Sequence, residues 1–165
     1  MKSMSEDPEW TVLEGYRVLS DEERRHVLTT GPMGGSRGLG GYRQTWTHKD
    51  TGECVTVIWI GGALAGWPGV THGGVTATIL DEALGTCAIL KFPAKTGVTA
   101  NLEINYLKPV VTNSFYILRA MPVKEGGRDD KIWVSGRLET LEGRICVEAK
   151  GLFVVPRKYA TRRLA

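Results

Sequence analysis

The sequence predicts an α+β fold, in which one long central helix is wrapped by a curved antiparallel sheet of about six strands. Two observations carry this. Residues 72 to 90 run without proline and place apolar side chains at three- and four-residue steps. The segments from residue 98 onward instead alternate at a period of two and are joined by short connections. A third observation bounds the answer: 165 residues suit one domain with a sizeable core.

Asp7-Pro8 has the form of an N-cap with proline at the first helical position. It predicts a short helix with Trp10, Leu13 and Tyr16 on one side. Ser20-Asp21-Glu22-Glu23 is a capping-box pattern and predicts a second helix that ends before Gly31-Pro32. Gly31 to Gly41 holds six glycines and is expected to be a flexible connector. It is not a phosphate loop, because no Lys-Ser/Thr follows it and no strand precedes it. Tyr42 to His48 and Cys54 to Ile60 are rich in β-branched and aromatic residues. The turn Lys49-Asp50-Thr51-Gly52 between them makes the pair a hairpin.

After a Gly/Pro loop at Gly66-Trp67-Pro68-Gly69 comes the central helix, from His72 to Leu90. Thr76, Ile79, Leu80, Ala83, Cys87 and Leu90 form its apolar stripe. Nearly every other position is small or apolar too, which predicts burial on most sides. Asp81 and Glu82 interrupt the run, and a carboxylate there is costly to bury unless it is paired or used. Four strands are expected next, over 98–107, 114–121, 131–139 and 145–155. In the first of them Val98, Ala100, Leu102, Ile104 and Tyr106 should share one face. Residues 1–37 form an N-terminal extension on this reading, 38–156 the domain, and 157–165 a mobile basic tail.

Composition excludes several classes. Hydrophobic content of 42% and charged content of 24% are ordinary for a globular chain. A net charge of +3 gives no ground for nucleic-acid binding. Cys54, Cys87 and Cys146 are odd in number and widely spaced, against a disulfide framework or a zinc site and for a reducing compartment. No metal and no other cofactor is expected. The acidic start, Met1 to Trp10, has neither the apolar core of a signal peptide nor the arginines of a transit peptide. A cytoplasmic location is expected, with the mitochondrion also open. No apolar run is expected to reach the length of a membrane span.

The residues Pro68-Gly69-Val70-Thr71-His72-Gly73-Gly74, the acid Asp81 nine positions after the histidine, and Thr99-Ala100-Asn101-Leu102-Glu103-Ile104-Asn105-Tyr106 with Lys108-Pro109 behind it carry a resemblance. Over roughly residues 38 to 156 the chain resembles the hotdog-fold acyl-CoA thioesterases, nearest their eukaryotic branch. The resemblance implies thioester hydrolysis without metal or organic cofactor. By motif match the Gly73 N–H polarises the carbonyl, Asp81 is nucleophile or general base, and Thr99 positions the water or the acid. His72 shapes the loop and the helix start. Gly74, Asn101 and Lys108 are the implied substrate-binding positions, with an acyl-CoA as substrate and a homodimer or dimer of dimers as assembly. In some relatives an asparagine six residues before the histidine is a second carbonyl donor, and here that position is Gly66.

Elementary geometry sharpens this. Gly73 lies at a helix N-terminus, where free N–H groups and the dipole favour negative charge on oxygen. Gly73 and Asp81 are eight residues apart, about 12 Å on an unbroken helix. One thioester carbon cannot touch both, so the donor and the acid of one site must come from two chains related by a two-fold axis. The small residues Ala77, Gly85 and Ala88 would allow the close approach. Two rival functions stay open: hydrolysis of thioesters on an acyl-carrier protein, and acyl-CoA binding without catalysis. A dehydratase would carry a catalytic histidine with an acid in a different motif, which is not present.

Overall fold

The computed structural model describes residues 3–15, 19–124 and 126–157. Among them the chain forms β1 (Trp10–Leu13), α1 (Asp21–His26), β2 (Arg43–His48), β3 (Cys54–Ile60), β4 (Ala65–Trp67), β5 (Val70–Thr71), α2 (Gly73–Lys91), β6 (Val98–Tyr106), β7 (Ser114–Pro122), β8 (Lys131–Thr140) and β9 (Ile145–Val154). Seven strands make one antiparallel sheet in the order β1-β2-β3-β7-β8-β9-β6. The short β4-β5 pair stands apart. The α+β class, the central helix and five of its six expected strands at nearly their expected bounds match the sequence reading. The sixth, over 98–107, matches in extent but not in the facing of its side chains.

Three expectations change. Trp10–Leu13 is not helical; it pairs with β2, Trp10 opposite His48 and Leu13 opposite Thr45. Asp7 caps a turn instead, its carboxylate accepting the Glu9 N–H at 3.0 Å. Tyr16, assigned to the same helix, lies outside the described residues, as does all of the basic tail beyond Arg157. The glycine tract of 31–41 is not an open connector but a folded run of turns. Leu39 in it is buried, and the carbonyls of Arg37 and Gly38 accept the N–H groups of Ala63 and Gly61. The capping box of α1 does form, with Ser20 and Glu23 each accepting the other's backbone N–H.

The central helix α2 has 19 residues and lies across the sheet. Thr76, Ile79, Leu80, Leu84, Cys87 and Ala88 are buried. Leu84 and Ala88 face the sheet where the sequence stripe had Ala83 and Leu90, which turn to a flank and are half-buried. Burial on most sides does not hold in the single chain: the sheet covers one face, and Gly73, Gly74, Ala77, Thr78, Asp81 and Gly85 stay at least partly open. Ala88 is therefore a core residue and not part of that open face. The same apolarity gives α2 a mean hydropathy of 1.2, so by length and composition it is long enough to cross a bilayer, contrary to the expectation that no run would be. In this fold the sheet covers one face of that helix, and 33% of the apolar window is buried.

Strand β6 holds a bulge between Thr99 and Asn101 that the alternation pattern did not disclose. Thr99 pairs with Phe153, whereas Asn101 pairs with Leu152 and Leu102 with Gly151. Phe153 is buried against α2, beside Gly85. Paired residues share a face, so the bulge turns Thr99 to the helix side together with Leu102, Ile104 and Tyr106. Val98 falls on the other face and is exposed.

Candidate active site

His72 is the N-cap of α2, and its Nδ1 accepts the Gly74 N–H at 2.9 Å. Gly73 is the first helical residue, so its own N–H has no acceptor within the helix and opens on the exposed end. Any side chain there would reach toward Tyr106, whose hydroxyl, ring Cε1 and Cζ lie 3.6–3.7 Å from the position of a Cβ. The Tyr106 hydroxyl donates to the Gly73 carbonyl at 2.7 Å. Two turns along, Asp81 is half-buried, and Thr99 Oγ1 donates to its Oδ1 at 2.7 Å. That contact exists because of the bulge. It leaves Oδ2 free to take a proton or to attack.

The helix is continuous from Gly73 to Lys91, so Gly73 and Asp81 stand about 12 Å apart. Within one chain the predicted residues gather at two places: His72, Gly73, Gly74 and Tyr106 at the helix start, and Asp81 with Thr99 at its middle. Lys108, two residues beyond Tyr106, is exposed and belongs to the first place by sequence. Asn101 is brought to neither, because its pairing with Leu152 turns it to the face away from the helix. Among other cations, Lys95 Nζ donates to the Leu90 carbonyl at 2.7 Å, and Arg119 is engaged on the outer sheet face.

Glu82 is occupied elsewhere. Arg43 donates to its Oε1 at 2.6 Å and Thr29 to its Oε2 at 2.5 Å. The three sit in a cavity of about 620 Å³ between α2, β2, β3 and the N-terminal segment, whose lining includes neither Asp81 nor Gly73. On the outer face of the sheet, Arg119 and Arg137 donate to the carboxylate of Glu139 at 2.7 and 2.9 Å. Burial alone would raise the Glu139 carboxyl, but these two bonds outweigh it and hold it below its usual range. The cysteines are buried thiols, as expected. Cys87 and Cys54 point to one carbonyl, that of Gly52, at 3.4 and 3.9 Å. The bond between the two thiols and their burial push Cys87 up. A group of possible metal ligands, Glu9, His48 and Asp50, lies within 4.8 Å of one another far along the chain from this site.

Gly66 explains the absent second donor. A Cβ there would lie 2.9 Å from both Cα and Cδ2 of His72. Strand β4 packs its backbone at Gly66 directly on the capping histidine and leaves no room for an asparagine.

A capped diglycine helix start, an acid two turns on with a strand threonine bound to it, and one helix against an antiparallel sheet are together the features of a hotdog-fold thioesterase. Residues 68–147 match the family model of the thioesterase superfamily. Acyl-coenzyme A thioesterase THEM4 of Mus musculus is 36% identical over 118 residues, which are 71% of this chain and 49% of that protein. Among solved structures, a thioesterase superfamily protein aligns with a TM-score of 0.60 and 31% identity over 68% of this chain and 53% of its own. A hypothetical thioesterase from Streptococcus pneumoniae, solved with coenzyme A, aligns with a TM-score of 0.57 and 25% identity over 64% of this chain and 80% of its own. The chain spans about half the length of the curated relatives it matches first. A Candida albicans relative at 28% identity is named as mitochondrial, so the comparisons do not favour the cytoplasm.

Proposed function

We propose that the chain hydrolyses the thioester of an acyl-CoA to a carboxylic acid and coenzyme A. The observation that carries this reading is the oriented pair Thr99–Asp81 together with an open N–H at the start of the same helix. In the reaction, a water loses its proton to Asp81 and attacks the thioester carbon. Thr99 holds the acid's other oxygen. The carbonyl oxygen gains negative charge facing the Gly73 N–H, where the helix dipole favours it. The C–S bond then breaks, and the thiolate takes a proton. Asp81 attacking the carbon directly is the variant of this scheme. Coenzyme A is favoured over a carrier protein because the Streptococcus neighbour was solved with it.

Because about 12 Å separates Gly73 from Asp81, we assign the donor and the acid of each site to different chains of a homodimer. Two features support that assembly. The face of α2 that carries Gly74, Thr78, Asp81 and Gly85 is at least partly open, and β6 is a nine-residue edge of the sheet. Long open edges invite pairing. Tyr106 marks the Gly73 end of β6, and Thr99 marks the Asp81 end. Antiparallel pairing of β6 with its copy about Glu103, with Ala100 the extra residue of the bulge, would set Tyr106 opposite the partner's Thr99. Each Gly73 would then approach the partner's Asp81.

The test is thiol release from acyl-CoAs of rising chain length by the wild type and by Asp81→Asn. Turnover should fall about a hundredfold or more in the variant, with the melting temperature kept. Equal activity in both proteins, or none in the wild type on any acyl-CoA, contradicts the reading.

A further inference from the structure

We propose that Tyr106 is a positioning residue for thioester cleavage: it fixes the helix start so that the Gly73 N–H points where the carbonyl oxygen will be. This rests on the thioesterase reading above and extends it to a residue to which the resemblance assigns no role.

The need for such a residue follows from the sequence. Two glycines open α2, and glycine loses more conformational freedom on folding than any other residue. A helix start is also where the chain frays. An N–H that stabilises developing charge is effective only if it is already oriented before the charge appears. A free diglycine turn would supply the donor without its direction.

The structure supplies the missing restraint. The peptide group joining Gly73 to Gly74 is held at both of its polar atoms. Its carbonyl accepts from the Tyr106 hydroxyl at 2.7 Å, and its N–H donates to His72 Nδ1 at 2.9 Å. The next carbonyl, that of Gly74, accepts from Thr78 Oγ1 at 2.8 Å. With that peptide plane fixed, little freedom remains in the one before it, which carries the Gly73 N–H. His72 and Thr78 lie in or next to the helix and move with it. Tyr106 alone of the three ties the turn to the sheet, at the last residue of β6. Its ring also packs beside Gly73, at ordinary contact distance from where a Cβ would stand.

Core packing does not account for Tyr106. It is 54% exposed. Within the single chain the bond is therefore not part of the core, and an unchanged melting temperature and oligomer mass in its absence separate a positioning role from a structural one. The same strand carries Thr99, the partner of Asp81, so β6 positions both halves of the chemistry.

Tyr106→Phe removes the hydroxyl and keeps the ring. The inference predicts that kcat toward an acyl-CoA falls about three- to tenfold, the weight of one hydrogen bond in the transition state. KM should stay within about twofold, and the melting temperature and oligomer mass should be unchanged. Amide exchange at Gly73 and Gly74, followed by NMR in the substrate-free protein, should become faster. A variant with wild-type kcat and unchanged exchange overturns the proposal. So does one whose kcat loss comes with a matching loss of melting temperature. If the wild type cleaves no acyl-CoA, the thioesterase reading fails, and the exchange measurement still decides whether Tyr106 holds the turn.

Discussion

Gly73 is a residue whose contribution lies in its backbone, so a side-chain deletion cannot test it. Proline can. It removes the N–H, and it is tolerated at the first position of a helix. The residue before it, His72, already has φ −59° and ψ 131°, the conformation that precedes proline without strain. Gly73→Pro should therefore leave the melting temperature in place and lower kcat by about a hundred- to a thousandfold, the usual cost of one oxyanion donor. Retained turnover in steady-state assays would remove Gly73 from the chemistry. At this scale much was legible. The places of His72, Gly73 and Asp81 follow one helix, which local periodicity reads, whereas Thr99 reaches Asp81 only through the bulge, which it does not. Tyr106 was not legible as a site residue. Its bond to Gly73 crosses 33 positions of sequence and depends on where β6 ends over the helix start. Asn101 parts from Thr99 for a related reason: a single extra residue in β6 turns Thr99 to the helix side and leaves Asn101 on the other.

Elements were read best where a long period repeats. The 19 residues of α2 and the nine or ten of β6 to β9 gave their bounds within a residue or so. Short segments at the N-terminus followed tertiary demand instead. Asp7-Pro8 satisfied a helix-start rule, yet Trp10–Leu13 gained more by extending an open sheet edge beside β2. The strands also carry charge that the pattern hides. Glu139 on β8 is nearly buried between Arg119 of β7 and Arg137, and its carboxyl is held below the ordinary value of 4.5. A carboxyl lowered in the folded state stabilises above its unfolded value, and that contribution disappears as pH falls through the folded one. The melting temperature of the wild type should therefore drop on acidification below about pH 4.5 more steeply than that of Glu139→Gln. Parallel curves for the two proteins would show that the Arg119–Glu139–Arg137 bonds add nothing across that window.

For the whole molecule, the two-chain proposal makes the single chain an incomplete site. Its helix lies open on the face that carries Asp81, its sheet ends in a bare β6, and its donor and acid are about 12 Å apart. The two-chain proposal follows from helix rise alone, and the open face of α2 and the β6 edge support it. The sequence did not indicate β6 as the edge, because strand order is set by the crossover of the chain after α2 and not by any local pattern. Complementation between two inactive variants tests the account most directly. Asp81→Asn and Gly73→Pro are each expected to be inactive alone. Unfolded and refolded together in equal amounts, they should form heterodimers as half of all dimers, each with one intact site built from the unaltered Gly73 of one chain and the unaltered Asp81 of the other. Thiol release should then recover to about a quarter of the wild-type rate. A mixture that assembles into dimers and stays inactive would contradict the two-chain site.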